Sequence, residues 1–191
     1  MPKIIVFEGP DGGAKTALSK YLADYFGYLR IWTPEEPFRS IRHIFDKSDM
    51  DYKVRFGFYS SSVLFTNNRI LNELQDQEGI LIDRFTASLW VYHNIMDPGT
   101  DYKVLVDSLG FLQPDLEFIM TADDSVLIER MQERYQNSSI AHREQNPEFL
   151  AKVAQSYRNI KGDNIVHIDT SGNEPKEQIL KRAIGYIKEL R

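Results

Sequence analysis

The sequence contains no cysteine, which removes disulfides, thiolate catalysis and most zinc sites, and which suits a reducing compartment. Long hydrophobic runs are missing too. The first apolar run, Ile4 to Phe7, is far short of the roughly 20 residues of a membrane span and of a signal-peptide core. The expectation is therefore a cytoplasmic protein with no membrane partner, and the Asn137-Ser138-Ser139 sequon is read as chance. Excess positive charge is also lacking: 23 basic residues stand against 28 acidic ones, a net charge of -5. Long nucleic acid is not drawn to such a chain, so a polyanionic ligand must be small and locally held. The histidines, His43, His93, His142 and His167, lie too far apart for a local ligand motif. There is no internal repeat and no low-complexity tract.

What is present is enough for a core. With 191 residues, 42% of them hydrophobic and 27% charged, the chain fits one compact domain spanning residues 1–191. Short β-branched runs alternate with amphipathic segments, the sequence form of repeated βαβ units around a parallel sheet. Five strands are expected, at Lys3–Phe7, Tyr28–Thr33, Gly79–Asp83, Leu116–Thr121 and Ile165–Asp169. Between them, "KTALSKYLADYF" and "DSVLIERMQERY" repeat apolar residues at i, i+3 and i+4, as crossover helices require. Asp51–Gln77 is long and aromatic, and Pro175–Leu190 closes the pattern as another amphipathic helix. Asn137–Pro147 is polar and without period, which makes it either a lid or an ordinary surface loop. "FDKSDMD" has three aspartates but neither the glycine nor the distal glutamate of a calcium loop, and reads as a solvated turn.

Near the amino end, "FEGPDGGAKT" follows a strand and opens a helix, the context in which a phosphate-binding loop is expected. Backbone N–H groups around Gly9, Gly12, Gly13 and Ala14, with those of Lys15, Thr16 and Ala17, can surround phosphate oxygens. Lys15 adds a point charge, and the hydroxyl of Thr16 can ligate Mg2+. The pattern GxxxxGK[ST] has glycine before the lysine, whereas this chain has Ala14. If that position needs a positive φ, the methyl costs about 1–2 kcal/mol. A turn that merely contains a lysine, or a loop that binds without turnover, are the competing readings.

Further blocks follow in order, and with them the sequence resembles the thymidylate kinase family within the nucleoside monophosphate kinase fold. The resemblance runs nearly end to end. "FEGPDGGAKT" is similar to that family's EGxDxxGK[ST], "TPEEPF" to its T-R-E-P turn without the arginine, and "SIRHIF" to its IRxxL helix. "VLFTNNRILNEL" resembles LFxANR, "DRFTASLWVYH" resembles DR[YF]xxSxxAYQ with His93 in place of glutamine, and "QPDLEFIMTAD" matches a PDL strand. "HREQNPEFLAKVAQSYRNI" resembles the family's lid-and-helix run.

The resemblance implies a P-loop NTPase-type three-layer α/β/α fold with a five-stranded parallel sheet and a lid at about residues 134–147. It implies that Asp11 meets the acceptor sugar or its phosphate, and that Glu36, Arg42 and Arg84 lie at the acceptor. Phe65 is expected to stack on the base, with Arg69 reaching toward it. Asp83 is expected to hold magnesium through water, and Ser88 and Tyr92 to line the base and deoxyribose pocket. Because position 12 is glycine rather than arginine, the catalytic arginines are expected from the lid, at Arg134 or Arg143. The reaction implied is the ATP- and Mg2+-dependent phosphorylation of a deoxynucleoside monophosphate, dTMP or a related pyrimidine nucleotide, to the diphosphate, by a homodimer, with Gly9 to Ala17 holding the ATP.

Acceptor chemistry agrees. A monophosphate is already largely an anion at neutral pH and needs cations, which Arg42, Arg69 and Arg84 supply. A nucleoside 5′-hydroxyl needs a carboxylate base, for which Glu36 is the candidate. Deoxynucleoside kinase is thus the alternative activity. A catalytically degenerate nucleotide-binding protein, marked by Ala14, and a kinase of modified bases in DNA are the others.

Overall fold

The computed structural model describes residues 1–47, 49–136 and 145–190. Five parallel strands form one sheet in the order β2-β3-β1-β4-β5. They are β1 (Lys3–Glu8), β2 (Leu29–Trp32), β3 (Gly79–Asp83), β4 (Leu116–Thr121) and β5 (Ile165–Asp169). A parallel sheet covered on both faces needs strands that are apolar on both sides, and β1 meets this requirement. Its Ile5 and Phe7 face a cluster with Leu18, Leu22, Phe118 and Ile187. Ile4 and Val6 face the opposite one, with Val63, Ile70, Leu89 and Val106.

The first face is covered by α1 (Lys15–Phe26) and α8 (Lys176–Glu189), the second by α3 (Tyr52–Asn72), α4 (Thr86–Met96) and α5 (Tyr102–Ser108). Helix α7 (Pro147–Arg158) packs Val153 and Tyr157 beside Ile119 and Val91, while α6 (Asp124–Tyr135) packs Leu127 and Met131 on α7. Helix α2 (Phe38–Phe45) lies over the end of β2 with no fully buried residue. Long helix α3 starts where Asp51 accepts bonds from the N–H groups of Lys53 and Val54, a side-chain cap that "SDMD" could supply.

The strands agree with the sequence within one residue at every end. β2 is one residue shorter than expected at each end, at its start because Tyr28 is captured by the end of α1. Gly27 takes a left-handed conformation, φ 69°, and the Tyr28 N–H donates to Ala23 O at 3.0 Å. At its other end the Thr33 N–H still donates to Asp83 O at 3.2 Å, but its hydroxyl turns to Arg84 O at 2.6 Å. Among the described residues no helix is long and apolar enough to cross a membrane. The lid segment expected at 134–147 lies mostly outside the described residues.

Candidate active site

The turn between β1 and α1 forms the first half of the site. Gly9 has φ 140° and a Cβ there would lie 2.3 Å from Met120 O, while Gly12 has φ 83°, so both positions need glycine. Gly13 closes the turn by donating its N–H to Pro10 O at 3.2 Å. Ala14 is left-handed as well, with φ 62° and ψ 15°, so the condition for the methyl penalty is met. No side chain caps α1, which leaves its first N–H groups, through Thr16 and Ala17, to an anion.

Lys15 is buried, and its Nζ donates to Gly9 O at 2.8 Å and Pro10 O at 2.7 Å. Burial, and then the nearby Arg84 cation, pull the ammonium down to about 7 against the opposing pull of Asp11, Asp83 and Glu8. Thr16 Oγ1 donates to Asp83 Oδ2 at 2.7 Å. That hydroxyl and buried carboxylate are hard oxygen donors at the mouth of the loop, a set that suits magnesium. Asp83 Oδ2 also receives Arg30 Nη2 at 2.7 Å, and Arg30 Nε donates to Ser19 Oγ at 2.9 Å.

The second half centres on Arg84, just past the carboxyl end of β3, where open α/β sheets bind ligands. Its φ is 72°. The guanidinium donates to Asp11 Oδ1 at 2.6 Å and to Ser88 Oγ at 3.1 Å, and Tyr92 OH donates to Asp11 Oδ2 at 2.7 Å. Ser88 and Tyr92 share a face of α4 because they are one helical turn apart, and Arg84, two residues before the helix, reaches both. Burial alone would push Asp11 up, but Arg84, Lys15 and the Tyr92 hydroxyl hold it well below the usual carboxylate range. Arg134 Nη1 approaches Asp11 at 3.8 Å with its side chain 54% exposed.

Behind this group sits Glu8, fully buried at the end of β1. It accepts the N–H groups of Phe85 and Ser88 at 2.7 and 3.0 Å, the Ser88 hydroxyl at 2.6 Å and the Tyr157 hydroxyl at 3.1 Å. Helix α4 has no capping side chain of its own, so Glu8 serves as its cap from a neighbouring strand. Burial and the Glu8 charge push the Tyr157 phenol well above its usual range.

Of the sequence-named residues, Asp11, Lys15, Thr16, Asp83, Arg84, Ser88, Tyr92 and Arg134 are linked through these contacts. Others are engaged elsewhere. Phe65 packs on Phe38 at 5.7 Å. Arg69 pairs with Glu35, which also accepts the Thr66 hydroxyl at 2.7 Å, and with Glu73 at 3.3 Å. Glu36 instead turns outward and accepts the N–H and hydroxyl of Ser40 at 3.2 and 2.6 Å. Arg42 pairs with Asp46 at 3.0 Å. Asp46 also meets Arg55 at 2.9 Å and the Tyr59 hydroxyl at 2.6 Å. His93 is buried in the core against Phe56, Tyr59 and Tyr102, with Nδ1 2.6 Å from Leu89 O. Arg143 lies outside the described residues.

Sequence reasoning missed Glu8, Arg30, Glu35, Arg130 and Tyr157. Arg130 Nη1 donates to Gly12 O at 2.9 Å and its Nη2 to Thr170 O at 2.6 Å, which ties the loop to α6 and to the end of β5. Glu8 stands in the EGxD block and Tyr157 in the lid-and-helix run matched above, so both could have been flagged there, whereas Arg30 lies in no matched block and its signal was a charge inside an apolar strand.

A 2-3-1-4-5 parallel sheet with a phosphate loop after its central strand defines the P-loop nucleoside monophosphate kinase fold. Solved structures agree. The thymidylate kinase of Candida albicans superposes with a TM-score of 0.75 at 19% identity, covering 98% of this chain and 91% of that one. The enzyme from Ehrlichia chaffeensis gives 0.72 at 20% identity, covering 98% of each chain.

The thymidylate kinase family model matches residues 7–183, and the chain belongs to that family. Among its relatives, a probable thymidylate kinase of Methanocaldococcus jannaschii is 26% identical over 190 residues, covering 97% of this chain and 96% of that protein. The thymidylate kinase of Ligilactobacillus salivarius is 27% identical over 192 residues, covering 91% and 92%. Membership makes the chain a phosphotransferase that acts on small nucleotides.

Proposed function

We propose that the protein transfers the γ-phosphoryl group of ATP to a deoxynucleoside monophosphate, dTMP or a related pyrimidine nucleotide. An acceptor phosphate oxygen forms the new bond to phosphorus, the bond to the β–γ bridging oxygen breaks, and ADP leaves. Magnesium, held by Thr16 directly and by Asp83 through water, supplies charge neutralisation at the phosphates. Lys15 turns from its own loop carbonyls to the β/γ-phosphates, and the N–H groups from Gly9 to Ala17 hold their oxygens. Such a reaction asks the protein for positioning and charge rather than for a base.

The observation that carries this reading is Arg84, held at positive φ at the end of β3 beside the phosphate loop and bonded to Asp11 and Ser88. A guanidinium so placed is suited to grip an acceptor phosphate. Glu36, the candidate base for a 5′-hydroxyl acceptor, is occupied by Ser40, which favours the monophosphate over the nucleoside. Tyr92 and Ser88 line the sugar side, Phe65 and Arg69 the base side, and Arg42 adds charge from α2. Arg134 and Arg143, on the segment at 134–147, serve as the catalytic arginines as it closes over both nucleotides. A homodimer is part of the same proposal. The exposed Val54 of α3 and Val104 and Leu105 of α5 give it apolar surface to bury.

The test is ADP formation from Mg-ATP across deoxynucleoside monophosphates and deoxynucleosides, with wild type, Lys15→Ala and Arg84→Ala. Turnover on dTMP, abolished by Lys15→Ala and reduced at least about a hundredfold by Arg84→Ala, is expected. Silence on every acceptor despite ATP binding overturns the proposal in favour of a nucleotide-binding module.

A further inference from the structure

We infer that Arg30 is a positioning residue that stands in for a divalent cation at Asp83 and thereby sets how strongly nucleotide binding depends on magnesium. The inference rests on the proposed ATP site and adds to it a residue that none of the matched sequence blocks contains.

Arg30 lies in the middle of β2, paired in register with Leu81, where a parallel sheet favours an apolar side chain. Instead its guanidinium crosses to the carboxyl end of β3. Its Nη2 reaches Asp83 Oδ2 at 2.7 Å, the same oxygen that accepts Thr16 Oγ1 at 2.7 Å. Its Nε is anchored on Ser19 Oγ at 2.9 Å, and Ser19 donates to Thr16 O at 3.3 Å. Two elements therefore fix the guanidinium, and only a quarter of its side chain is exposed, against 2% for that of Asp83.

The charge arithmetic gives the arrangement a purpose. A buried carboxylate next to a phosphate loop repels the phosphates and needs a cation of its own. Magnesium provides that cation only when it arrives with the nucleotide. Arg30 provides it permanently, at the same oxygen that Thr16 shares. With Arg30 in place the loop tolerates metal-free ATP, and the extra affinity conferred by magnesium is correspondingly small. Without Arg30 the whole charge of Asp83 faces the phosphates, so binding becomes strongly dependent on the metal.

The experiment measures ATP affinity by calorimetry in excess EDTA and in excess Mg2+, and reads the ratio of the two dissociation constants. No acceptor and no turnover are involved, so failure of the acceptor assignment leaves the result standing. In Arg30→Met, metal-free affinity should fall about tenfold while the Mg2+ value changes less than about threefold, so the ratio rises at least about threefold. Arg30→Lys, which keeps the charge, should restore the ratio to within about twofold of wild type.

Asp83→Asn removes the carboxylate that Arg30→Met alone would leave unpaired, and so guards against simple misfolding of that variant. Its ratio should fall below that of wild type, and adding Arg30→Met to it should change the ratio no further. Equal losses with and without metal in Arg30→Met overturn the inference, because that is what a purely structural arginine would produce. A ratio that falls in Arg30→Met, or that still rises in the Asp83→Asn background, overturns it as well.

Discussion

Ala14 carries a methyl group in a left-handed conformation that glycine adopts freely. Replacing it by glycine removes about 1–2 kcal/mol of backbone strain and adds about 0.4–1 kcal/mol of unfolded-state entropy. Ala14→Gly should therefore raise stability by about 0.5–1 kcal/mol, read as a higher urea midpoint at unchanged slope. A lower midpoint would mean that the loop does not hold Ala14 under strain. The question at this position could be posed from the sequence because the whole loop is local: Gly9, Lys15 and Thr16 lie within a few residues of one another. Arg30 and Glu35 could not be placed so. Their partners, Asp83 and Arg69, are 53 and 34 residues away, and no spacing rule connects a strand arginine to the end of another strand.

Helix α4 shows the same division at the scale of an element. The helix was legible through the block "DRFTASLWVYH", which named Arg84, Ser88 and Tyr92. Its amino end was not, because the cap comes from Glu8, 77 residues earlier in the chain. Glu8→Gln keeps the shape but replaces an ionised acceptor of four bonds with an amide. It should destabilise the fold by about 2 kcal/mol, since bonds to charged groups contribute about 1.5–3 kcal/mol. Urea unfolding measures this, and a loss below about 0.5 kcal/mol would show that α4 starts without help from β1. Glu8 also receives Tyr157 of α7, the helix that follows the segment at 137–144. One carboxylate therefore braces both α4 and α7.

Across the whole molecule, pH acts through a carboxyl inside the sheet. Glu117 lies in β4, paired with Val6 on one side and Ile165 on the other. Burial, and then the Glu8 charge, push its carboxyl up to about 8 from an ordinary 4.5. Between those values the folded chain keeps a proton that the unfolded chain releases, so stability falls as pH rises through that window. Lys15 acts oppositely, but only above about 7. The comparison belongs between pH 5 and 7: wild type should lose stability over that interval and Glu117→Gln should not, as followed by urea unfolding. A wild-type profile that is flat there would place Glu117 in contact with water.

The order of the strands has a consequence for biosynthesis. The central strand β1 pairs with β3, which begins at Gly79, and with β4, which begins at Leu116. At roughly 5–20 residues per second, a ribosome extends the chain for several seconds after Ile4–Phe7 emerges before either neighbour exists. For that interval a strand with four consecutive apolar residues is a free edge, exposed to chaperones and to other nascent copies. The segment that later presents the phosphate loop is thus the one most dependent on protection while the chain is being made.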